Sequence, residues 1–491
     1  MTRRLSGDYF CGFSLPQKPA AALLCLTAAL ALFGCTVGPN YVRPPADVPA
    51  NFKEMGNWKP AQPSDQVAKG NWWEVYEDPQ LNALEEQINV SNQSLKAAQE
   101  QFAQARAAVR IARADYYPTV TGGANATQNH ISDNNPLFVN HSSKTNYSDF
   151  RIPFDVSWEP DLWGRVRRTV EASRSEAQAT AADVANVSLS LHAELAMDYF
   201  QLRGLDAQRD LLESTVVAYE KALELTQNRY RAGLASAVDV AQAETQLRTT
   251  RAQAIDLGVN RSAFEHAIAV LIGKPPSQFT LPSSPLRAAP PAIPPGLPSD
   301  LLERRPDIAA SERRMQESNA EIGVAKSAYY PLVTLTGSGG LESGAFTTLF
   351  QGPAGFWAVG AAATETLFEG GRRHAATEQA QAAYRQTIDN YRQTVLSAFQ
   401  EVEDNLAALR ILNEEEVVQQ SAVSSAEHSL ALSNNRYKGG IVNYLEVITA
   451  QNAALADEVT EVTIQTRRME ASVLLVKALG GSWTVSQIPP V

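Results

Sequence analysis

The 491-residue sequence predicts an internally duplicated α+β membrane protein, with four transmembrane β-strands per chain and two pairs of long coiled-coil helices. Three observations carry that reading. Residues 228–244, NRYRAGLASAVDVAQAE, return at 435–451 as NRYKGGIVNYLEVITAQ, matching at Asn228/Asn435, Arg229/Arg436, Tyr230/Tyr437, Gly233/Gly440, Asp239/Glu446, Val240/Val447 and Ala243/Ala450. Leu191, Leu195, Asp198, Leu202, Leu205, Arg209, Leu212, Val216, Tyr219, Leu223, Thr226 and Tyr230 stand in alternating steps of four and three, a coiled-coil seam with two charged interruptions. Four short stretches alternate apolar and polar residues, in a chain that opens with an export signal.

Residues 1–34 read as the signal peptide. Arg3, Arg4 and Lys18 precede the apolar run AAALLCLTAALALF at 20–33, which falls short of the roughly 20 residues of a membrane helix. It ends in Leu32-Phe33-Gly34-Cys35, which resembles a bacterial lipobox with Cys35 as the lipidated residue. Phe33 departs from the small residue usual at its position, and an ordinary export signal with an incidental cysteine is the alternative. Cys11 and Cys25 would leave with the signal, so Cys35 has no partner for an internal disulfide. Thr36 follows, not the Asp that retains many such lipoproteins in the inner membrane, so the resemblance implies the outer membrane. Residues 35–80 are then a lipid-anchored N-terminal segment, extended where 36–64 are rich in Pro and polar residues. A net charge of -11 with no Lys/Arg block argues against a nucleic-acid partner.

The first repeat occupies 81–273 and the second 301–480, with 481–491 as a C-terminal tail. Between them lies a linker at 274–300; nine prolines in 275–298 exclude a helix. Each repeat carries Tyr-Tyr-Pro (Tyr116, Tyr117, Pro118; Tyr329, Tyr330, Pro331) between an Ala-rich and a β-prone segment. LWGRVRRTVEAS at 162–173 resembles LFEGGRRHAATEQ at 367–379, with one inserted residue. A period this long is a duplicated domain rather than a solenoid. A helix over 165–231, repeated at 373–438, would be about 100 Å long at about 1.5 Å per residue. Both end at a glycine, Gly233 or Gly440, where a left-handed cap is expected, placing hairpin tips near 229–240 and 436–447.

Strand pairs are expected at 118–160 and 331–367, with extracellular loops at 128–147 and 343–354. Phe150, Ile152, Phe154, Val156 and Trp158 alternate with Arg151, Pro153, Asp155, Ser157 and Glu159; Val333 and Leu335 alternate with Thr334, Thr336 and Ser338. A half-buried soluble sheet has the same period. Joined to an outer-membrane address, the pattern favours a barrel with its apolar face outward. Four strands cannot close one, and an open edge in lipid leaves backbone groups unpaired at several kcal/mol each. Other copies must supply the rest. Two copies give eight strands, a barrel filled by its own side chains, so a shared twelve-strand trimeric barrel is expected.

Further motifs carry a resemblance across the whole mature chain: Cys35-Thr-Val-Gly-Pro-Asn-Tyr, Trp72-Trp73 with Asp78-Pro79-Gln80-Leu81, both Tyr-Tyr-Pro sites, Asp161-Leu-Trp-Gly-Arg165, both RYxxG turns, Pro298-Ser-Asp-Leu-Leu-Glu-Arg-Arg-Pro-Asp307 and Phe399-Gln-Glu-Val-Glu-Asp404. The chain resembles a TolC-type outer-membrane factor of the efflux-lipoprotein branch. The resemblance implies a homotrimer in outer-membrane lipid, its strands a pore and its helices a coiled-coil α-helical barrel across the periplasm. It implies the exit duct of a tripartite pump for small molecules such as drugs, coupled through a periplasmic adaptor (membrane fusion) protein to an inner-membrane RND-type pump. Arg229, Tyr230, Gly233 and Leu234, then Arg436, Tyr437, Gly439, Gly440 and Ile441, match the tip residues that meet the adaptor. Asp239 and Tyr437 match a polar link that closes the pore, and Glu446 matches an acidic ring site. Thr449 and Val442 depart from the family pattern, replacing a second acidic and a basic gate residue. Three facing Glu446 carboxylates would favour divalent-ion binding; a solvated Glu446 is the alternative.

The six histidines are scattered, and HExxH, GxSxG and P-loop motifs are absent. No enzyme activity, cofactor or metal is expected. An exported coiled-coil structural protein would explain the helices but not the strand pairs. A type I secretion-like duct for proteins or oligosaccharides stays open within the family.

Overall fold

The computed structural model describes residues 36–45, 48–55, 71–132, 146–293 and 298–489. The expected signal peptide, 1–34, and Cys35 lie outside the described residues. The helices are α1 (Pro79–Ser91), α2 (Gln93–Ala114), α3 (Arg165–Arg231), α4 (Ala237–Leu271), α5 (Leu301–Arg304), α6 (Pro306–Ser327), α7 (Arg372–Lys438) and α8 (Tyr444–Ala478). Repeat-related helices are equal in length: 22 residues for α2 and α6, 67 for α3 and α7, 35 for α4 and α8. The duplication therefore has no insertion inside these helices, and α3 and α7 share one register. Among the seam residues Leu195, Leu202, Leu212, Tyr219 and Thr226 are buried and only Tyr230 is exposed.

Acidic caps set the helix starts. Asp78 accepts the Gln80 and Leu81 N–H groups with Pro79 in the first turn. This starts α1 two residues before the expected boundary at 81. Asp161 accepts from the Val166 and Arg167 N–H groups at 3.1 and 2.9 Å, and Glu369 accepts from Arg373 N–H at 2.9 Å. The expected extended segment 35–80 also contains turns at Lys53–Met55 and Trp72–Tyr76; the second exists because Trp72, Trp73 and Tyr76 bury their rings.

Among the described residues five strands form one antiparallel sheet: β1 (Thr119–Gly122), β2 (Asn125–His130), β3 (Asn146–Trp158), β4 (Leu332–Ser343) and β5 (Gly355–Thr364). Its order is β1-β3-β4-β5, with β2 also on β3. β1 and β2 keep one register with β3, Thr119 opposite Ser157 and Asn125 opposite Arg151, so they are one strand path. The break falls opposite Pro153, whose nitrogen has no proton to give; Gly123 N–H still donates to its carbonyl at 3.0 Å. Four strand paths result. Alternation places Val120, Phe154, Val156, Leu335, Trp357 and Val359 on one face, all of them exposed. Arg151, Asp155, Ser157, Glu342, Ser338 and Thr336 share the other. β2 and β3 extend into the expected 128–147 loop, and two 3-10 turns, Phe346–Thr348 and Gly352–Ala354, shape 343–354.

Contacts sort the chain into two units that do not follow the repeats. The first comprises Ala108–Arg174, Gln316–Arg385 and the described residues up to Val42, and holds the sheet. The second comprises Arg43–Ala107, Ser175–Met315 and Gln386–Val491, as far as these are described. Each draws on both repeats, because a long helix finds its neighbours along its flank.

Within the first unit, Arg168 donates to the Val37 and Gly38 carbonyls and to Asn40 Oδ1, while Asn319 donates to the Pro39 carbonyl. Within the second, side chains hold the proline-rich linker, which has few N–H groups of its own. Buried Arg203 and half-buried Arg261 donate to the Pro282 and Leu281 carbonyls, both pair with buried Asp206, and Asp206 accepts the Ser284 N–H. Arg305 of the Pro298–Asp307 motif pairs with Asp307 and Glu401 and donates to the Ala478 carbonyl at the end of α8.

Candidate functional site: the paired hairpin tips

Both RYxxG turns lie in the second unit and close in the same way. At the end of α3, Leu234 N–H donates to the Arg229 carbonyl at 2.8 Å and Gly233 N–H to the Tyr230 carbonyl at 2.9 Å. At the end of α7, Ile441 N–H reaches the Arg436 carbonyl at 2.9 Å and Gly440 N–H the Tyr437 carbonyl at 3.0 Å. This is the Schellman arrangement, and it needs a left-handed residue: φ is 72° at Gly233 and 73° at Gly440. Ser236 and Asn443 then cap α4 and α8. A Ser or Asn three residues before an acidic residue is a legible cap signal in both tips.

Side chains join the two tips. Arg229 Nη1 donates to the Lys438 carbonyl at 2.9 Å, and its guanidinium lies 4.8 Å from the Tyr437 ring centroid. A cation at the last carbonyls of α7 is favoured by the helix dipole as well as by the hydrogen bond. Tyr437 is only 4% exposed; it meets Tyr444 at 5.2 Å between centroids, and its hydroxyl donates to Thr226 Oγ1 at 3.4 Å. Ala243 and Val447 complete this core, with Leu223, Leu430, Val442 and Ile448 around it. Burial pushes the Tyr444 hydroxyl up to about 12, so it stays neutral. Further along, Gln246 of α4 donates to Asn452 of α8 at 2.6 Å.

The structure thus brings Arg229, Tyr437 and Gly440 together and leaves Tyr230, Leu234 and Ile441 exposed. Val238 and Leu445 are exposed beside them, at repeat-related positions. The expected Asp239–Tyr437 link does not form within the chain. Asp239 is committed to a capping box, accepting from Ser236 N–H at 2.8 Å and Ser236 Oγ at 2.9 Å, while the Tyr437 hydroxyl turns to Thr226. Glu446, expected in an acidic ring, pairs with Arg436 at 2.6 Å in the same chain. Val442 serves the tip core, and Thr449 donates to the Leu445 carbonyl of its own helix. The sequence reading missed Thr226 and Tyr444 as partners of Tyr437. Tyr444 carried a signal, since it replaces Ala237 of the first repeat.

The family model for outer membrane efflux proteins matches residues 84–274 and 297–481. The outer membrane protein OprJ of Pseudomonas aeruginosa is 31% identical over 472 residues, covering 95% of this chain and 97% of that protein. The toluene efflux pump outer membrane protein TtgF of Pseudomonas putida is 31% identical over 471 residues, covering 94% of this chain and 96% of that protein. Among solved structures, the outer-membrane channel OprN superimposes with a TM-score of 0.85 at 30% identity, covering 91% of this chain and all (100%) of that one. The Campylobacter jejuni CmeC outer membrane channel shares the fold with a TM-score of 0.86 at 24% identity, over 92% of this chain and 96% of that one. The chain has the α+β fold of these channels, with a membrane sheet and long helical hairpins, and it belongs to the outer membrane efflux protein family.

Proposed function

We propose that this outer-membrane efflux protein is the trimeric exit duct of a tripartite pump for small molecules such as drugs. Support for the trimer comes from the sheet, which leaves one apolar face and both edge strands open in the single chain. Three copies supply twelve strand paths, enough to close a barrel around a pore. The repeated hairpins give such an assembly six similar tips. Exposed Leu234, Val238, Ile441 and Leu445 offer these to a periplasmic adaptor, which links the duct to an inner-membrane RND-type pump. Cys35 is the lipid anchor; it directly precedes the segment that Arg168 and Asn319 hold. The duct itself requires no catalytic group, since the pump supplies the energy.

The tips act as the gate. The observation that carries this reading is the Arg229 bridge, which fastens the first hairpin to the helix end and ring of the second. Opening must break it. Single-channel recording in planar bilayers tests the gate: Arg229→Ala is expected to raise mean conductance several-fold over the unaltered channel. Equal conductance would overturn the gate, and a single copy per particle by light scattering would overturn the shared barrel.

A further inference from the structure

At the junction of sheet and helices in the first unit, Trp163 makes a contact whose duplicate is missing. Its ring stacks on Tyr330 with centroids 4.9 Å apart and planes 24° apart, and its Nε1–H donates to the Pro331 carbonyl at 2.8 Å. The contact runs from the end of β3, in the first repeat, to the head of β4, in the second, and these strands pair along their length. In the duplication Phe368 stands for Trp163, Tyr117 for Tyr330 and Pro118 for Pro331. Phe368 is 89% exposed, Leu367 beside it 91% and Tyr117 72%. The reason is topological. Phe368 follows β5 and Tyr117 precedes β1, and β5 and β1 stand at opposite ends of the strand order.

Resting on the shared-barrel reading, we propose that Phe368 and Leu367 pack against Tyr117 and Pro118 of a second copy of this chain. There β5 of one copy meets β1 of the next, and the contact that Trp163 makes inside each chain is made once more between chains. The two contacts differ chemically. Phenylalanine has no N–H, so the contact between copies is apolar stacking without the hydrogen bond to the proline carbonyl. The β3–β4 seam within each chain thus carries a stacked and hydrogen-bonded ring, and the β5–β1 seam between chains a stacked ring alone.

The test uses the full-length protein in membranes carrying Tyr117→Cys with Phe368→Cys, treated with a short bismaleimide. C-terminal to Cys35 the sequence has no cysteine, and Cys35 is present in both single variants, which serve as controls. Trp163→Cys with Tyr330→Cys has the matching geometry inside one chain and is read by mass spectrometry. The expected result is a ladder of linked dimer and trimer for the 117/368 pair, none for the single variants, and a linked monomer for 163/330. A trimer by light scattering with 163/330 linked but no 117/368 ladder would overturn the contact and leave the shared barrel standing. A monomer would overturn both. Phe368→Trp restores an N–H for the Pro118 carbonyl, so the temperature at which the assembled form dissociates in detergent should rise, and fall for Phe368→Ser. No shift in either variant would also overturn the contact.

Discussion

At the first hairpin tip Tyr230 stands 49% exposed, while at the second its counterpart Tyr437 is 4% exposed under the guanidinium of Arg229. The two arginines diverge as well. Arg229 reaches across to the Lys438 carbonyl of the other tip, whereas Arg436 stays within its own hairpin and pairs with Glu446 at the start of α8. The backbones are alike: the same turn hydrogen bonds, the same left-handed glycine and an N-cap at the same place. The difference lies in two nearby substitutions. Tyr444 for Ala237 supplies a ring for Tyr437 to pack on, and Glu446 for Asp239 adds the methylene that lets a carboxylate reach Arg436 instead of folding back onto the N-cap. Duplication preserves the turn, and divergence beside it makes one tip the socket and the other the hook.

The sharpest way to break that comparison is to truncate both tyrosines. Tyr437→Ala empties a buried ring site and should cost about 3–5 kcal/mol, in the range of large aromatic truncations. Tyr230→Ala removes an exposed ring and should stay within about 0.5 kcal/mol. Chemical unfolding of the detergent-solubilised protein measures both, and equal losses would mean the tips are equivalent after all. The arginines come next. Arg229→Ala gives up a charged hydrogen bond worth about 1.5–3 kcal/mol and a cation–π contact worth about 0.5–2 kcal/mol. Arg436→Ala loses a half-exposed ion pair worth about 0–1 kcal/mol. A larger loss at Arg436 would reverse the roles assigned to the two tips.

Much of this was legible in the sequence where the signal is periodic or local. The C-terminal end of α3 follows from a seam that runs to Tyr230 with Gly233 after it, and that of β3 from the alternation of Phe150 to Trp158. The two tips were legible as turns, because glycine and cap residues act within a few positions. Their side-chain pairings were not. Arg229 meets Lys438, and Tyr437 meets Thr226, across more than 200 residues of chain, separations of 209 and 211. The Asp239–Tyr437 link carried over by resemblance is not made within the chain, where each group has a nearer partner. The 3-10 turn at Trp72–Tyr76 escaped for a similar reason: its aromatic burial depends on elements far along the chain.

The repeats also diverge along the shared register of α3 and α7, where His192 stands opposite Phe399. His192 Nδ1 lies 2.6 Å from Glu85 Oε2, Nε2 lies 3.2 Å from Asn89 Oδ1, and Trp73 stacks on the ring at 4.2 Å. Burial raises the Glu85 carboxyl well above its ordinary 4.5 and lowers His192 from 6.5 to about 4. From pH 4.5 upward the raised Glu85 carboxyl keeps a proton in the folded chain that it loses in the unfolded one, which lowers stability as pH rises. Up to 6.5 the lowered His192 opposes this, because there the unfolded chain holds the imidazole proton; above 6.5 that opposition is gone, and stability falls with rising pH until the folded Glu85 itself ionises. Glu85→Gln removes the retained proton and should flatten that alkaline limb in a pH series of melting temperatures. An unchanged limb would show that the pair is not held neutral. The second repeat, with phenylalanine at this position, has no counterpart of the effect.

The smallest expected effect separates two adjacent glycines of the second tip. Gly440 has φ of 73°, a conformation that costs a side-chain residue about 1–2 kcal/mol, so Gly440→Ala should destabilise by that amount. Gly439 has no such constraint. A Cβ there would meet the Asn435 carbonyl oxygen at 3.4 Å and Ile441 Cδ1 at 3.6 Å, ordinary contact distances, and the corresponding residue of the first tip is already an alanine, Ala232. Gly439→Ala should therefore be neutral, or stabilising by about 0.4–1 kcal/mol through the unfolded chain. Stability and efflux should part company only if the glycine serves something outside the chain. Full stability with lost drug tolerance in a strain that depends on this duct would make Gly439 a position where the adaptor approaches the backbone too closely for a methyl group. Full stability with full tolerance would leave Gly439 as tolerant as Ala232 and return the asymmetry of the tips to Tyr437 and Arg229 alone.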